Sequence, residues 1–428
     1  RTHAGDCFVA NSAPRNDTWG EALVRGLKGN MVIGQSGGPT AVVNCSVCGA
    51  VQAAMRREEI EGIYGMLHGI QGFLQEDLID LRKEDPVTIE GLCRTPSAAL
   101  GSCRYKLTDR DFERVTEVCR AHNIRYFFYI GGGDTMHNTY EIGRRAAAER
   151  YEMRVMGIPK TIDNDLAWTD HSPGFGSAAR FEAIMCSEIV RDTIALRYTE
   201  VVKIIETMVR NSVLISATTA MAGDYAPDLI YVPERPFDKD KFLNDVEKVY
   251  KRQGYVVIAA CEGIKNSGGS YVAAFQDSIN VDAFGHPELG GLGQYLVNLI
   301  VAELKLKTRL DKPGTMQRSS GLCISDLDRQ EAYMVGSDAV RQAVRGAGGY
   351  MITLVRGPGD EYRCTTGLAP LEEIANAEKL LPDEFINEAG NFVTEAFKEY
   401  TRPLLGGALP DYITLAARRL PKRLSPWP

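Results

Sequence analysis

The 428-residue chain is 44% hydrophobic and 25% charged, ordinary values for a globular protein of about two domains. Its net charge of −7 argues against nucleic acid or a membrane surface as a default partner, while leaving anionic small molecules open to local arginine and lysine clusters. No apolar run approaches the roughly 20 residues of a membrane span, and residues 1–29 lack the apolar core of a secretion signal, so a cytoplasmic location is expected.

Residues 1–29 read as an extension with one short helix. The first predicted strand, Met31–Ile33, runs into the turn Gly34–Thr40 and a helix from about Ala41 to Arg57. Strand, glycine-rich turn and helix form a phosphate-cradling arrangement, because glycines let backbone N–H groups approach an oxyanion. Gly37 and Gly38 are the candidate contacts, although many such turns are glycine-rich for packing alone. Cys45-x-x-Cys48 falls in this helix. With no second pair at zinc spacing, helix packing is the better account. The ten cysteines are scattered, and reduced thiols are expected in a chain long enough to build its own core.

A second strand, Gly62–Leu67, precedes Leu100-Gly101-Ser102-Cys103-Arg104, where Arg104 follows small residues and could clamp a phosphate or serve as an ordinary surface arginine. Helical spacing returns over 109–121. The buried-strand run Arg125–Ile130 then delivers Gly131-Gly132-Gly133-Asp134-Thr135 and a helix to about Arg150. Asp134 or Thr135 could cap that helix. Capping leaves the glycine triplet unexplained, which favours a loop that a ligand approaches.

Arg154–Ile158 should end as a strand at Pro159, and the turn beyond it projects Lys160, Thr161, Asp163 and Asp165. Ligands of open α/β sheets bind at this carboxyl edge. A lysine beside two carboxylates suits phosphoryl transfer, with a cation for phosphates, a base for a hydroxyl and a carboxylate for Mg²⁺. A polar turn is the plainer alternative. Further on, the pattern predicts a helix over 177–196 and strands at Val201–Ile205, Leu229–Val232 and Tyr255–Ala260, alternating with helices near 211–221 and 239–253. A helix to about Lys305 follows His286, itself a helix-start residue. Pro313–Arg318 reads as a turn and short strand, Glu331–Arg345 as a helix and Tyr350–Val355 as a strand. Alternation of this kind implies two doubly wound, mostly parallel, Rossmann-like α/β domains with strand ends facing a shared cleft.

Taken in order, these stretches resemble the phosphofructokinase family, specifically its pyrophosphate-dependent branch. The resemblance covers about Met31 to Val355. It rests on Ser36–Gly38, Leu100–Arg104, the loop 131–135, Pro159–Asp165, Met208-Val209-Arg210, Glu262 and Gln317-Arg318. It implies transfer of a phosphoryl group to the 1-hydroxyl of fructose 6-phosphate, with Mg²⁺ as cofactor. Asp163 would be the general base, with Lys160, Asp134 and Arg210 also in the catalytic set. Thr161, Ile162, Met208, Val209, Glu262 and Arg318 would bind the sugar phosphate, and Gly37, Gly38, Arg104 and Lys160 the pyrophosphate. Asp165 would be a metal ligand, and Gly133 stands where the family's usual ligand has a side chain. Asp134 and Lys160 replace glycines typical of ATP users, so pyrophosphate is the expected donor. A homodimer or homotetramer is implied as well. Residues 30–170 would be the donor-side domain and 171–330 the sugar-phosphate side, with 331–428 packing on both. Gly133, and Val209 in place of a usual glycine, favour the alternative of a weakly active or non-catalytic homologue. Val201 and Val202 replace a usual basic residue, with Lys203 nearby. An ATP-dependent kinase is the third reading.

Overall fold

The computed structural model describes residues 26–208, 214–272, 291–359, 361–375, 377 and 379–424. Two sheets organise them. The first has seven strands: β1 (Gly29–Gln35), β2 (Ile60–Met66), β3 (Leu78–Asp80), β4 (Ile124–Gly131), β5 (Arg154–Pro159), β10 (Tyr350–Arg356) and β11 (Cys364–Pro370). Their spatial order is β11-β10-β5-β4-β1-β2-β3. The four central pairings, from β10 through β5, β4 and β1 to β2, are parallel, and the outermost strand on each side is antiparallel.

The strand sequences explain the layering. Tyr126, Phe128 and Ile130 of β4 join one apolar cluster, while Phe127 and Tyr129 join another on the opposite face. Successive side chains of a strand point to opposite faces, so a strand covered on both sides must read as a continuous apolar run. Helices Val43–Ala54 and Asp326–Val344 cover the first face; Asp109–Ala121 and Gly133–Ala148 cover the second. The first pair packs backbone to backbone. A Cβ at Gly49 would lie 2.2 Å from the Tyr333 carbonyl oxygen, and one at Gly336 2.0 Å from that of Ser46.

The second sheet contains β6 (Val202–Thr207), β7 (Leu229–Tyr231), β8 (Val256–Cys261) and β9 (Thr308–Asp311), all parallel, in the order β7-β8-β6-β9. Helices Lys239–Gln253 and Leu292–Leu304 bury their apolar stripes against one face. Helix Phe175–Ala195 begins at Gly174, which has no side chain to cap it. Asp328 does so from a distance, accepting the N–H groups of Gly174 (2.8 Å) and Ser177 (2.9 Å).

Several expectations need correcting. Pro313–Arg318 holds no strand; Met316–Ser319 is a single helical turn, and the strand lies earlier, at β9. The helix expected from Glu331 starts at Asp326, because the Ser325 hydroxyl accepts the Asp328 N–H (3.2 Å) and caps it. Residues 350–370 pair into the first sheet through β10 and β11. The extension 1–25, Val209, Arg210 and His286 lie outside the described residues. The nine described cysteines are all free thiols, and no helix among the described residues is long and apolar enough to cross a membrane.

Candidate active site

Three strand ends of the first sheet converge. At the end of β1, Gly37 takes φ +74°, a conformation that a side chain would strain. Its N–H donates to the Cys103 carbonyl (3.1 Å), and its carbonyl accepts the Ser102 hydroxyl (2.6 Å). The helix after this turn starts at Val43, later than the expected Ala41, with no side-chain cap. The turn therefore acts first as a seat for a lysine. Lys160 Nζ donates to the Gly38 carbonyl at 2.8 Å, and a Cβ on Gly37 would come within 3.2 Å of that nitrogen.

At the end of β4 the glycine triplet divides by role. Gly131 is required for packing, since a Cβ there would lie 2.1 Å from the Thr135 hydroxyl. A Cβ on Gly132 would meet only the Lys160 carbonyl oxygen, at 3.9 Å, and one on Gly133 would have nothing within 4 Å. Gly133 is the first residue of its helix and Asp134 the second. The exposed Asp134 carboxylate complements the positive helix end without capping it.

At the end of β5, Lys160 is buried, and its main chain donates to the Gly131 carbonyl (3.0 Å). Burial pushes its ammonium down to about 8, with Asp163 and Asp165 opposing and Arg104 and Arg318 adding to the depression. Burial and the Asp165 charge push half-buried Asp163 up to about 8, against Lys160. Asp165 is raised as well, by burial. One of its oxygens, Oδ1, is buried with no hydrogen-bond partner. An orphaned carboxylate oxygen beside a lysine and a second carboxylate is the donor a hard divalent cation would take.

The turn carrying these groups is braced from the C-terminal segments. Asn164, fully buried at φ +58°, is the residue between the two aspartates. Its Nδ2 donates to the Tyr400 hydroxyl (2.9 Å), and its Oδ1 accepts the Ser172 N–H (3.0 Å) and Lys379 Nζ (3.3 Å). Lys379 Nζ also donates to the carbonyls of Thr169 (3.1 Å) and Asp170 (2.7 Å), and Lys379 N–H to that of Asp165 (2.8 Å). Below this lies a buried ion network. His171 bonds Asp170 (2.8 Å) and Glu331 (2.6 Å), and Arg356 bonds Asp170 (3.0 Å). Burial alone would lower His171, but the two carboxylates hold it up at about 9. Burial would raise Asp170, but His171 and Arg356 pull it down to about 2.

The second sheet faces the same cleft. Glu262 follows β8 and is near enough for its charge to help raise Asp163. Met208 follows β6, and its N–H donates to Gln317 Oε1 (2.8 Å). Arg318 lies close to the donor-side turn, with Nη1 3.0 Å from where a Cβ on Gly38 would stand. Burial and the Arg104 charge lower it, while Asp163 opposes. Arg104, Arg318, Lys160, Asp163, Asp165 and Glu262 therefore share one electrostatic neighbourhood. Thr161 Oγ1 accepts the Asp163 N–H (3.1 Å). Ile162 is buried in the second lobe's apolar core, so a substrate contact there would come through its main chain. Lys203 is buried on Asp311 (3.1 Å) and is engaged there.

Reading the sequence misses Asn164 as a positioning residue, and it misses Tyr400 and Lys379. Gln317, whose Oε1 accepts the Met208 N–H, keeps its Nε2 buried without a hydrogen-bond partner. Asn164 had a local signal, since asparagine is among the few residues that tolerate positive φ. Tyr400 and Lys379 had none.

A phosphofructokinase family model matches residues 30–343. The chain is 39% identical over 410 residues to a pyrophosphate–fructose 6-phosphate 1-phosphotransferase of Rhodospirillum rubrum, covering 93% of this chain and 100% of that one. It is 32% identical over 361 residues to a sulfofructose kinase of Alkalicoccus urumqiensis, covering 84% and 92%. The solved structure of a pyrophosphate-dependent phosphofructokinase from Nitrosospira multiformis superposes with a TM-score of 0.81 at 36% identity, covering 93% of this chain and 99% of that one.

Proposed function

The chain belongs to the phosphofructokinase family, and on that premise we propose that it moves a phosphoryl group from pyrophosphate to the 1-hydroxyl of fructose 6-phosphate. The observation that carries this reading is the seating of Lys160 on the Gly37-Gly38 turn beside Asp163, with Arg104 and Arg318 close by. Asp163 takes the hydroxyl proton as the new P–O bond forms; its raised pKa leaves it a usable base near neutral pH. Lys160 and Arg104 neutralise the charge that spreads over the transferring and leaving phosphates, and Arg318 holds the phosphate of the sugar. Glu262 and the main chain at Met208 orient the sugar. Mg²⁺ fits the orphaned oxygen of Asp165, and when bound it supplies charge neutralisation to the pyrophosphate. Among the described residues no cluster of three or more His, Cys, Asp or Glu forms a complete metal site. Mg²⁺ commonly keeps waters and takes substrate phosphates, so one or two carboxylates suffice.

Asp134 accounts for the choice of donor. Its carboxylate stands exposed at the helix start after the glycine triplet, where it would repel the α-phosphate of a nucleotide. The protein would act in the cytoplasm as a homo-oligomer. A coupled assay with Mg²⁺ and fructose 6-phosphate tests the reading by comparing pyrophosphate with ATP. Pyrophosphate should support turnover and ATP should not. Faster turnover with ATP would overturn the assignment of donor, and faster turnover of sulfofructose than of fructose 6-phosphate would overturn that of acceptor.

A further inference from the structure

The Cys-x-x-Cys pair of the first helix has a third member in space. Cys45 and Cys48 lie one turn apart on helix Val43–Ala54, a spacing that puts both thiols on one side. The single turn Leu92–Arg94 packs against that side and sets the Cys93 thiol against both of them. Cys45 and Cys48 are buried, whereas Cys93 is partly exposed. The two neighbouring thiols, with Arg329 and Arg94, lower the Cys93 thiol against its burial, while contact with Cys93 and burial push Cys45 and Cys48 up. One partly exposed thiol thus faces two sheltered ones, the arrangement of a reactive and a resolving cysteine.

The cluster adjoins the site through a short ladder of hydrogen bonds. Asn44, the residue before Cys45, donates to the Thr95 carbonyl (2.9 Å) and accepts the Ala99 N–H (2.8 Å) and Gln35 Nε2 (2.9 Å). Gln35 Oε1 in turn accepts the Leu100 N–H (3.0 Å). These bonds fix the segment that leads from Cys93 to Arg104.

We propose that the three thiols form a redox modification site, in which a peroxide oxidises Cys93 and one of the two helix thiols closes a disulfide to it. The Cys93 thiolate attacks one peroxide oxygen and the O–O bond breaks; Cys93 becomes a sulfenic acid, and hydroxide leaves as water after taking up a proton. Cys45 or Cys48 then attacks the sulfenic sulfur, the S–O bond breaks, and a second water carries away the oxygen. Two thiols lose two electrons and one hydrogen peroxide becomes two waters. Bonded sulfurs stand only about 2.05 Å apart, so the turn Leu92–Arg94 must move onto the helix. That movement disturbs the Asn44 bonds and displaces Arg104, which lowers turnover until a dithiol reduces the bridge.

The test exposes the full-length protein to limiting hydrogen peroxide and follows two readouts. Non-reducing peptide mapping should find Cys93 joined to Cys45 or Cys48. Turnover with pyrophosphate should fall severalfold and return with dithiothreitol. Cys93→Ser should keep basal turnover, form no link and resist peroxide. Should that variant melt below the wild type, Cys45→Ser/Cys48→Ser provides a second check, leaving Cys93 as a sulfenic acid that dimedone traps. Absence of a link to Cys93, or equal inhibition of Cys93→Ser, would overturn the proposal. The turnover arm rests on the activity proposed above. A linked protein without pyrophosphate-dependent turnover would count against that activity and not against the bridge.

Discussion

Replacing Asn164 separates what its side chain does from what its backbone endures. The residue sits at φ +58° with three side-chain hydrogen bonds. Asn164→Gly accepts that backbone conformation but removes all three bonds. Tyr400 keeps its bond to the Asp170 carbonyl, and Lys379 keeps its two carbonyls, so the main orphan is the buried Ser172 N–H. An unsatisfied buried donor costs about 1–3 kcal/mol. Asn164→Ala loses the same bonds and adds about 1–2 kcal/mol for a methyl-bearing residue in the left-handed region. Asn164→Gly should therefore be destabilised, and Asn164→Ala further, in denaturant unfolding of the purified protein. Because Asp163 and Asp165 flank this residue, freeing the turn displaces both reacting carboxylates, and misplacement by about 1 Å can cost on the order of 10²-fold in rate. In the coupled pyrophosphate assay we expect Asn164→Gly to lose at least about tenfold in kcat with a smaller change in KM for fructose 6-phosphate. A glycine variant with wild-type kcat would refute the bracing role, and equal stability of the two variants would refute the backbone argument.

Asp163→Asn should lower kcat by about 10²-fold or more while fructose 6-phosphate affinity moves far less, as measured by initial rates. For the wild type, the pH profile of kcat/KM should rise as Asp163 loses its proton and fall as Lys160 does, both near 8, giving a narrow optimum there. Gly133→Asp should lower the Mg²⁺ concentration needed for half-maximal rate; the position has no positive φ and open space around it, so the variant should fold, and an unchanged Mg²⁺ requirement would remove this position from the metal site. His171 is held above its unfolded value near 6.5, so its stabilisation is full below that pH and is lost as pH rises through about 9. Asp170, held near 2, stabilises above about 3.9 and loses that contribution as pH falls through 2. Melting temperature should therefore decline between pH 6.5 and 9 in the wild type, and His171→Gln, less stable throughout, should flatten that slope.

The central strands were legible because burial on both faces leaves no room for polar residues, as in the run Tyr126–Ile130. The strands that escaped reading were β3, β9 and β11, each at the edge of its sheet. Edge strands are only half covered, so Thr308-Arg309-Leu310-Asp311 carries charge and Cys364–Pro370 carries glycine and proline without penalty. The same division holds at the site. Lys160, Asp163 and Asp165 announce themselves within seven residues of one another, whereas Tyr400 and Lys379 reach Asn164 across more than two hundred positions, through packing that no local pattern encodes. The thiol cluster belongs to the second kind, since Cys93 joins Cys45 and Cys48 only after the chain has folded.

The order of strands in the first sheet has a consequence for how the chain is made. β5 ends at Pro159, and the strand that pairs with its outer edge begins at Tyr350, 350 − 159 = 191 positions later. At about 5–20 residues per second of synthesis, that edge stays unpaired for roughly 10–40 s, while the whole second sheet emerges and can fold. Helix Asp326–Val344, which roofs one face of the first sheet, arrives equally late. The part of a nascent chain that ends with β5 therefore carries a bare strand edge and an uncovered apolar face throughout that interval, a template for pairing with another chain. Newly made protein should be most prone to aggregate before β10 and β11 leave the ribosome, and a ribosome that stalls in that interval releases a lobe that cannot close.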